Sequence, residues 1–155
     1  MSMKKYILGI VVALFTLILV LPASAVDVFK QYEKVIWIDQ IKQVGAAYED
    51  GEKILEFPII TGDDETPTPP GIYVVRVKDA DYYSRTYKTP MPFSLFFDYK
   101  GKRAIHEGEV PEPKARKELA THGCIHVEEP YIEQLFNWAE TGKTAVLIFG
   151  WRDGD

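Results

Sequence analysis

The sequence predicts a mainly β domain that contains one firm helix. Short runs of β-branched and aromatic residues recur from Val35 onward, and Gly, Pro and Asp residues separate them. Only the segment after residue 128 carries an apolar stripe at clear helical spacing. The 155 residues are 46% hydrophobic and 13% aromatic, a composition that predicts one globular domain with its own core.

The first half of the chain is predicted to form four strands separated by turn signals. Asp50-Gly51 is a typical hairpin pair, because both residues tolerate positive φ. Residues 61–71 are predicted to form a loop, since positions 67, 69 and 70 are prolines, which cannot donate to a strand ladder. The four predicted strands are Val35–Ile38, Gln43–Tyr48, Lys53–Thr61 and Ile72–Lys78.

The second half is predicted to alternate irregular segments with strands. Asp79–Pro92 is polar, rich in tyrosine and without a clear hydrophobic period, so we predict an irregular segment there. A polar segment opening at Pro111 can hold a short helix as far as Leu119. The predicted strands are Phe93–Phe97, Lys102–His106 and Thr144–Phe149.

The firm helix is predicted shortly after the single cysteine. Glu128-Glu129-Pro130 places acidic groups and a first-turn proline at a helix start. Gly142 is expected to lie just beyond its end. The apolar stripe between these signals comprises Tyr131, Ile132, Leu135, Phe136 and Trp138.

The first residues have the pattern of a secretory signal peptide. Lys4 and Lys5 precede an apolar run, Ile7–Leu21, and Ala23-Ser24-Ala25 supplies small residues for cleavage. The run is shorter than the ~20 residues of a bilayer span, so cleavage is favoured over a retained anchor. We therefore predict a signal peptide at 1–25 and a mature domain at 26–155, exported to the periplasm or cell envelope without stable membrane insertion.

The charge excludes one class of partner. The full chain has a net charge of −5, and loss of Lys4 and Lys5 leaves 16 basic against 23 acidic residues, a net charge of −7. Without a block of Lys or Arg, the chain does not have the pattern of a nucleic-acid binder. A monomer is expected.

The lone thiol lies in the stretch Leu119–Glu128, which reads LATHGCIHVE. An unpaired cysteine in an exported protein is an intermolecular bridge, an inert buried residue or a reactive nucleophile. His122 and His126 flank Cys124, and His106 is the third and last histidine of the chain. This clustering of imidazoles around the thiol favours a chemical role.

Two chemical interpretations fit this spacing. If residues 123–127 are extended, His122, Cys124 and His126 point to one face. A thiol beside imidazoles ionises below its free pKa of ~8.5 and can act as a nucleophile for acyl transfer. The same three side chains, with His106, could instead bind zinc. The residues alone leave both interpretations open.

A family resemblance favours the nucleophile. His106, followed after fourteen residues by Thr121–Ile125 (THGCI), resembles the signature of the L,D-transpeptidase catalytic domain. Thr66–Gly71 before Ile72-Tyr73 resembles the Thr-Pro-x-Gly stretch that precedes a strand in that family. Met91-Pro92-Phe93, the early strands and the final helix and strand follow the family's order. The resemblance covers essentially the whole mature chain and implies a β-sandwich-like fold.

The resemblance also implies a reaction without cofactor or metal. Cys124 would attack the carbonyl after the third residue of a peptidoglycan stem tetrapeptide, releasing the terminal D-alanine. An amine of a neighbouring stem would resolve the thioester into a 3→3 cross-link, in cell wall biogenesis. His106 would be the general base. The backbone carbonyl of Glu107 would hold its tautomer, and the N–H groups of Gly123 and Cys124 would bind the oxyanion.

Three further residues are assigned to the substrate-binding region. His122 would line the donor pocket, and Thr121 would bind near the site or hold the turn. His126 stands where the family commonly has Arg or Asn, so it shapes the donor pocket or replaces a structural hydrogen bond. Glu107 stands where the family commonly has a small residue, and its carboxylate could raise the pKa of His106.

Two other functions remain open on the sequence. Water in place of the amine would make the protein an L,D-carboxypeptidase or endopeptidase through the same thioester. A degenerate site would make it a non-catalytic peptidoglycan-binding module. Tyr82, Tyr83 and Tyr87 could form a mobile lid or simply pack on the sandwich, and they are not assigned to the site.

Overall fold

Two β-sheets make up most of this computed structural model, which describes residues 28–112, 115 and 119–152. The first sheet has the strand order β3-β2-β1-β9-β4, and the second has the order β5-β6-β7-β8. The elements are β1 (Lys34–Asp39), β2 (Val44–Glu49), β3 (Glu52–Pro58), β4 (Gly71–Val74), β5 (Val77–Ser84), β6 (Thr89–Phe96), β7 (Ala104–Glu107), β8 (Ile125–Val127), helix α1 (Tyr131–Trp138) and β9 (Thr144–Phe149).

The hydrophobic core lies between the two sheets. Its largest cluster contains buried residues of both sheets and of helix α1, which buries Ile132 and Leu135. Because both inner faces contribute to one core, the predicted mainly β, sandwich-like fold is confirmed. The members from the sheets include Ile36, Ile38, Phe57, Val146, Leu95, Ile105, Ile125 and Val127.

The first sheet follows the sequence prediction closely. Strand β1 pairs antiparallel with β2 and parallel with β9. Asp50 and Gly51 form the β2–β3 turn with φ of 51° and 80°, as the Asp-Gly signal predicted. The predicted strand Lys53–Thr61 is wrong at its end, since β3 stops at Pro58. Ile60 instead exchanges main-chain hydrogen bonds of 3.0 and 3.3 Å with His126 of the second sheet.

The segment predicted as one strand, Ile72–Lys78, is divided between the sheets. Val75 N–H donates to Thr144 O at 2.9 Å beside β9, and Arg76 N–H donates to Phe96 O at 2.7 Å beside β6. The chain therefore crosses from the first sheet to the second within two residues. Hydropathy does not mark such a crossing, because both halves are extended.

The prediction of an irregular segment at Asp79–Pro92 is wrong. These residues form most of the β5–β6 hairpin, whose strands pair antiparallel around the turn 85–88. Most side chains of β5 are exposed or half-buried, so no period of two is visible in its hydropathy. The main-chain ladder, rather than burial of one face, defines this strand.

Helix α1 lies where the acidic, proline and glycine signals placed it. It begins after Pro130, and Ala139 N–H closes it by donating to Leu135 O at 2.9 Å. Gly142 follows with a positive φ of 76°. The predicted short helix before Leu119 falls mostly on residues outside the described ranges, as does the predicted signal peptide at 1–25. Among the residues that are described, no helix is long and apolar enough to cross a bilayer.

Candidate active site

The candidate site lies on the outer face of the second sheet, where β7 and β8 run parallel. Their register pairs Ile105 with Ile125 and His106 with His126. Since side chains alternate along a strand, the two isoleucines enter the core and the two histidines point to the opposite face. The candidate site therefore lies on the face of the sheet that points away from the core.

His106 is held by its neighbour's main chain. Its Nδ1 lies 2.7 Å from Glu107 O, so in the neutral ring Nδ1–H donates to that carbonyl and Nε2 carries the lone pair. The hydrogen bond that the family resemblance implied is present. His106 is only 6% exposed. Burial, and secondly the nearby His126, lowers its pKa from 6.5 to about 4, although the bond to Glu107 opposes this shift.

The side chain of Glu107 does not have the predicted effect. We expected its carboxylate to raise the pKa of His106, but that pKa is lowered, and the contribution of Glu107 comes from its main-chain oxygen. Desolvation of a buried imidazole outweighs the opposing interaction here. His106 is therefore neutral at pH 7.

Cys124 lies in a small apolar cluster separate from the core between the sheets. It is 7% exposed, and its Sγ lies 4.0 Å from Lys102 O. The cluster comprises Met91, Phe96, Ala104 and Cys124, with Tyr82 packed against it. Residues of the β5–β6 hairpin thus cover the thiol on the same face that carries the histidines.

Burial raises the pKa of the Cys124 thiol, which reverses the predicted lowering. A hydrogen bond from the Ala104 main chain and the charge of Arg103 oppose the shift, and Asp98 adds to it. The expected lowering assumed charged imidazoles beside the sulfur. His106 is instead neutral, so the resting thiol keeps its proton.

The Cys124 thiol and the His106 imidazole lie near each other along the sheet. His106 is the direct partner of His126, and Cys124 precedes His126 by two residues. Ala104, two residues before His106, packs in the cluster with Cys124. The structure therefore brings His106, His126 and Cys124 onto one face, where the extended-segment argument had placed His122, Cys124 and His126.

The turn before the cysteine requires glycine. Gly123 has φ of 96°, and a Cβ there would lie 3.1 Å from both Arg103 Nε and Pro67 O. The Thr121 hydroxyl donates to Cys124 O at 2.5 Å and accepts from Gly123 N–H at 3.2 Å. The predicted turn-stabilising role of Thr121 is confirmed, while its contact with a substrate stays a prediction.

The same hydrogen bond bears on the oxyanion assignment. Gly123 N–H already donates to Thr121 Oγ1, so it can serve an oxyanion only by sharing or exchanging that bond. The role of Gly123 and of the Cys124 N–H as oxyanion donors stays a prediction.

His122 lies apart from the other two histidines. The positive φ of Gly123 interrupts the extended path, and β8 begins only at Ile125. The condition that residues 123–127 be extended, on which a shared face for His122, Cys124 and His126 depended, is therefore not met at Gly123. His122 is exposed and stacks on Tyr87 of the hairpin turn, with ring centroids 5.0 Å apart. Its place in a donor pocket stays a prediction.

The proline-rich loop is hydrogen-bonded to the cysteine turn. The sequence analysis did not predict this contact. Thr66 Oγ1 donates to Thr121 O at 2.9 Å, and Thr68 Oγ1 donates to Gly123 O at 3.1 Å. Arg103 Nε donates to Pro67 O at 3.2 Å. Two threonines, each directly before a proline, were the available signal, because a hydroxyl in a rigid loop is a well-placed partner for buried carbonyls.

The zinc interpretation has no ligand set in the described part of the chain. Among residues 28–112, 115 and 119–152, no group of three or more His, Cys, Asp or Glu side chains is arranged to hold a metal ion. His122, one of the four candidate ligands, stacks on Tyr87 of the hairpin turn instead.

A family assignment follows from the comparisons with known proteins. The YkuD family model, which describes the L,D-transpeptidase catalytic domain, matches residues 33–148. The chain belongs to the L,D-transpeptidase catalytic domain family. The match includes both strands of the candidate site and the THGCI turn. No curated protein matches the sequence.

Solved L,D-transpeptidases share the fold. The enzyme of Stackebrandtia nassauensis is 24% identical with a TM-score of 0.71, over 81% of this chain and 59% of that chain. An Enterococcus faecium L,D-transpeptidase with a cysteine-to-serine mutation is 30% identical with a TM-score of 0.67, over 76% and 50%. The isolated catalytic domain from E. faecium is 29% identical with a TM-score of 0.60, over 75% and 96%. This chain thus spans 59% and 50% of the first two proteins and nearly all of the isolated domain.

Proposed function

We propose that the protein is an exported L,D-transpeptidase that forms a thioester between Cys124 and a peptidoglycan stem tetrapeptide. The observation that carries this proposal is the 2.7 Å hydrogen bond between His106 Nδ1 and Glu107 O. It leaves Nε2 of a neutral imidazole as a proton acceptor on the sheet face that also carries Cys124. The family assignment supports peptidoglycan as the substrate.

The proposed acylation moves one proton twice. The Cys124 thiol gives its proton to His106 Nε2 as Sγ attacks the carbonyl after the third residue of the stem. The C–N bond to the terminal D-alanine breaks, and the imidazolium gives the proton to the leaving amine. The product is a thioester on Cys124 with a neutral His106.

Resolution of the thioester repeats the transfer with an incoming amine. The amine of a neighbouring stem attacks the thioester carbonyl and gives a proton to His106 Nε2. The C–S bond breaks, the sulfur takes the proton back from the imidazolium, and the 3→3 cross-link is released. Water in place of the amine would give hydrolysis instead.

The electrostatics favour a neutral pair at rest. Burial raises the pKa of the Cys124 thiol and lowers that of His106 to about 4, so a resting thiolate–imidazolium pair is disfavoured. Proton transfer is therefore expected to accompany C–S bond formation rather than precede it. In this respect the thiol is protected from unselective reaction until a substrate is bound.

The proposed location follows from the proposed substrate. Peptidoglycan lies outside the cytoplasmic membrane, which agrees with the signal-peptide pattern at residues 1–25. Fractionation of cells that produce the full chain tests this location. A measured mass equal to that of residues 26–155 would confirm cleavage before Val26. Recovery of the uncleaved chain in the cytoplasm would contradict it.

The decisive experiment is a product analysis with purified residues 26–155. Incubation with tetrapeptide muropeptides is expected to give cross-linked dimers that have lost D-alanine, identified by mass. Tripeptides alone would identify a carboxypeptidase, and unchanged substrate with retained binding would identify a non-catalytic module. The matched control is Cys124→Ser, which is expected to fold normally and to form neither the acyl-enzyme nor a product.

A further inference from the structure

The imidazole of His126 packs against that of His106, the candidate base. His126 is the direct strand partner of His106, and the two rings meet edge to face with centroids 4.7 Å apart at 64°. His106 is buried and His126 is half-buried. The sequence left His126 either shaping the donor pocket or replacing a structural hydrogen bond, and the ring that it contacts in the structure is that of His106.

The place of the His126 ring is fixed by its surroundings. Its main chain exchanges hydrogen bonds with Ile60 on one side, and β7 pairs with it on the other. The ring occupies the space beside Gly108, where a Cβ would lie 2.5 Å from His126 Cγ and 2.6 Å from Nδ1. The glycine therefore makes room for an imidazole in this position, and the ring cannot move toward residue 108.

We propose that His126 is a positioning residue that packs the His106 ring and opposes its protonation, so that the pair sets the acid limit of the reaction. This inference rests on the proposed function for its kinetic consequence, but not for the contact itself. Two adjacent imidazolium ions repel each other, and burial weakens the screening by water. The pair therefore accepts a first proton more readily than a second.

The groups around the pair allow this electrostatic effect. His126 lowers the pKa of His106, and His122 in turn lowers that of His126, in each case after the larger effect of burial. The opposing contributions come from main-chain oxygens of Glu107 and Glu109. The Glu128 carboxylate, on the segment after β8, accepts from Val110 N–H at 2.9 Å.

These contacts determine in which direction the pKa of His106 changes when His126 is replaced. A neutral, uncharged ring at position 126 would remove the repulsion that a second proton meets. The pKa of His106 would then rise above about 4, and the base would become protonated at higher pH, although burial, the larger cause, would still hold that pKa below 6.5. The acid limb of kcat/KM should move upward in the same direction.

The test variant is His126→Phe, which keeps an aromatic ring in the same space but cannot carry charge. The titration of His106 is followed by NMR of its ring proton, assigned as the signal that His106→Gln removes from a chain with only three histidines. The midpoint is expected to rise above about 4 in His126→Phe, with a parallel rise in the acid limb of muropeptide turnover. A midpoint that stays at the wild-type value would overturn the inference.

A second variant leaves all histidines in place. Gly108→Ala introduces a Cβ at the His126 ring and should displace it, so the His106 midpoint should also rise. An unchanged midpoint with a displaced ring would overturn the inference even if His126→Phe failed to fold. Because NMR needs no turnover, an inactive protein with a shifted midpoint would contradict the proposed function and still support the inference.

Discussion

The Thr68 hydroxyl joins the proline-rich loop to the cysteine turn, donating to Gly123 O at 3.1 Å and accepting from Gly62 N–H at 3.0 Å. Thr68 is 1% exposed, so water cannot replace either hydrogen bond. The residue directly before Cys124 is therefore fixed by a loop more than fifty positions earlier in the chain. This long-range contact therefore ties the cysteine turn to the proline-rich loop.

Removal of this hydroxyl should weaken both the fold and the site. Thr68→Val keeps the side-chain volume but leaves Gly123 O and Gly62 N–H without their partner, at an expected cost of about 1–3 kcal/mol in the free energy of unfolding. Urea denaturation measures this loss, and kcat should fall with it. Thr141→Val, the same exchange at an exposed turn position, is the control. Equal stability of both variants would exclude the role of Thr68.

The sequence was most informative where one residue type is required locally. Asp50-Gly51 predicted a hairpin because its turn needs positive φ, and the stripe around Leu135 predicted the helix because one face must be buried. The parallel pairing of β7 with β8 places His106 beside His126, and Cys124 packs with Ala104 on the same face.

The sequence was least informative where hydrogen bonds to distant main-chain partners determine the local structure. The β5–β6 hairpin shows no hydrophobic period because its side chains are mostly exposed, and the crossing at Val75–Arg76 depends on hydrogen bonds to two different sheets. Both mistaken pKa directions had one cause as well. Spacing showed that imidazoles lie near Cys124 but could not show the burial that keeps His106 neutral.

The resting thiol is expected to react slowly with alkylating agents at neutral pH. Burial raises the pKa of Cys124 above its ordinary value of 9.0, so the thiolate is a minor species at pH 7. Iodoacetamide labelling, followed by mass at a series of pH values, should reach its half-maximal rate above pH 9. Cys124→Ser corrects for labelling elsewhere. A midpoint below pH 9 would show an activated resting thiolate instead and would contradict the neutral pair.

Loss of the base should slow acylation without removing the nucleophile. His106→Gln keeps a polar side chain beside Glu107 O but has no group that can take the thiol proton, so the rate should fall by about 10²–10⁴-fold. A carbapenem serves as the acylating probe, and the mass shift of its adduct measures this rate directly. The adduct should still form slowly in His106→Gln and be absent in Cys124→Ser. Acylation of His106→Gln at the wild-type rate would remove His106 from the proposed mechanism.

The buried imidazole should make the fold sensitive to mild acid. The folded state holds His106 at a pKa of about 4 while the unfolded chain has 6.5, so the unfolded state binds more protons between these values. Stability should therefore fall as the pH drops from about 6.5 to about 4, by about 3 kcal/mol if the whole shift is expressed. Below pH 4 this loss should be complete and constant.

The comparison of two His→Gln variants isolates this effect. His106→Gln removes the group that must stay uncharged, so its free energy of unfolding should decline less than that of the wild type between pH 7 and pH 4. His122→Gln makes the same exchange at an exposed ring and should decline nearly as much as the wild type, because its effect on His126 is smaller than that of burial. Urea denaturation at several pH values within this range measures all three proteins. If His106→Gln and the wild type declined in parallel, the imidazole would not be kept neutral by burial, and the neutral resting pair proposed for catalysis would be wrong.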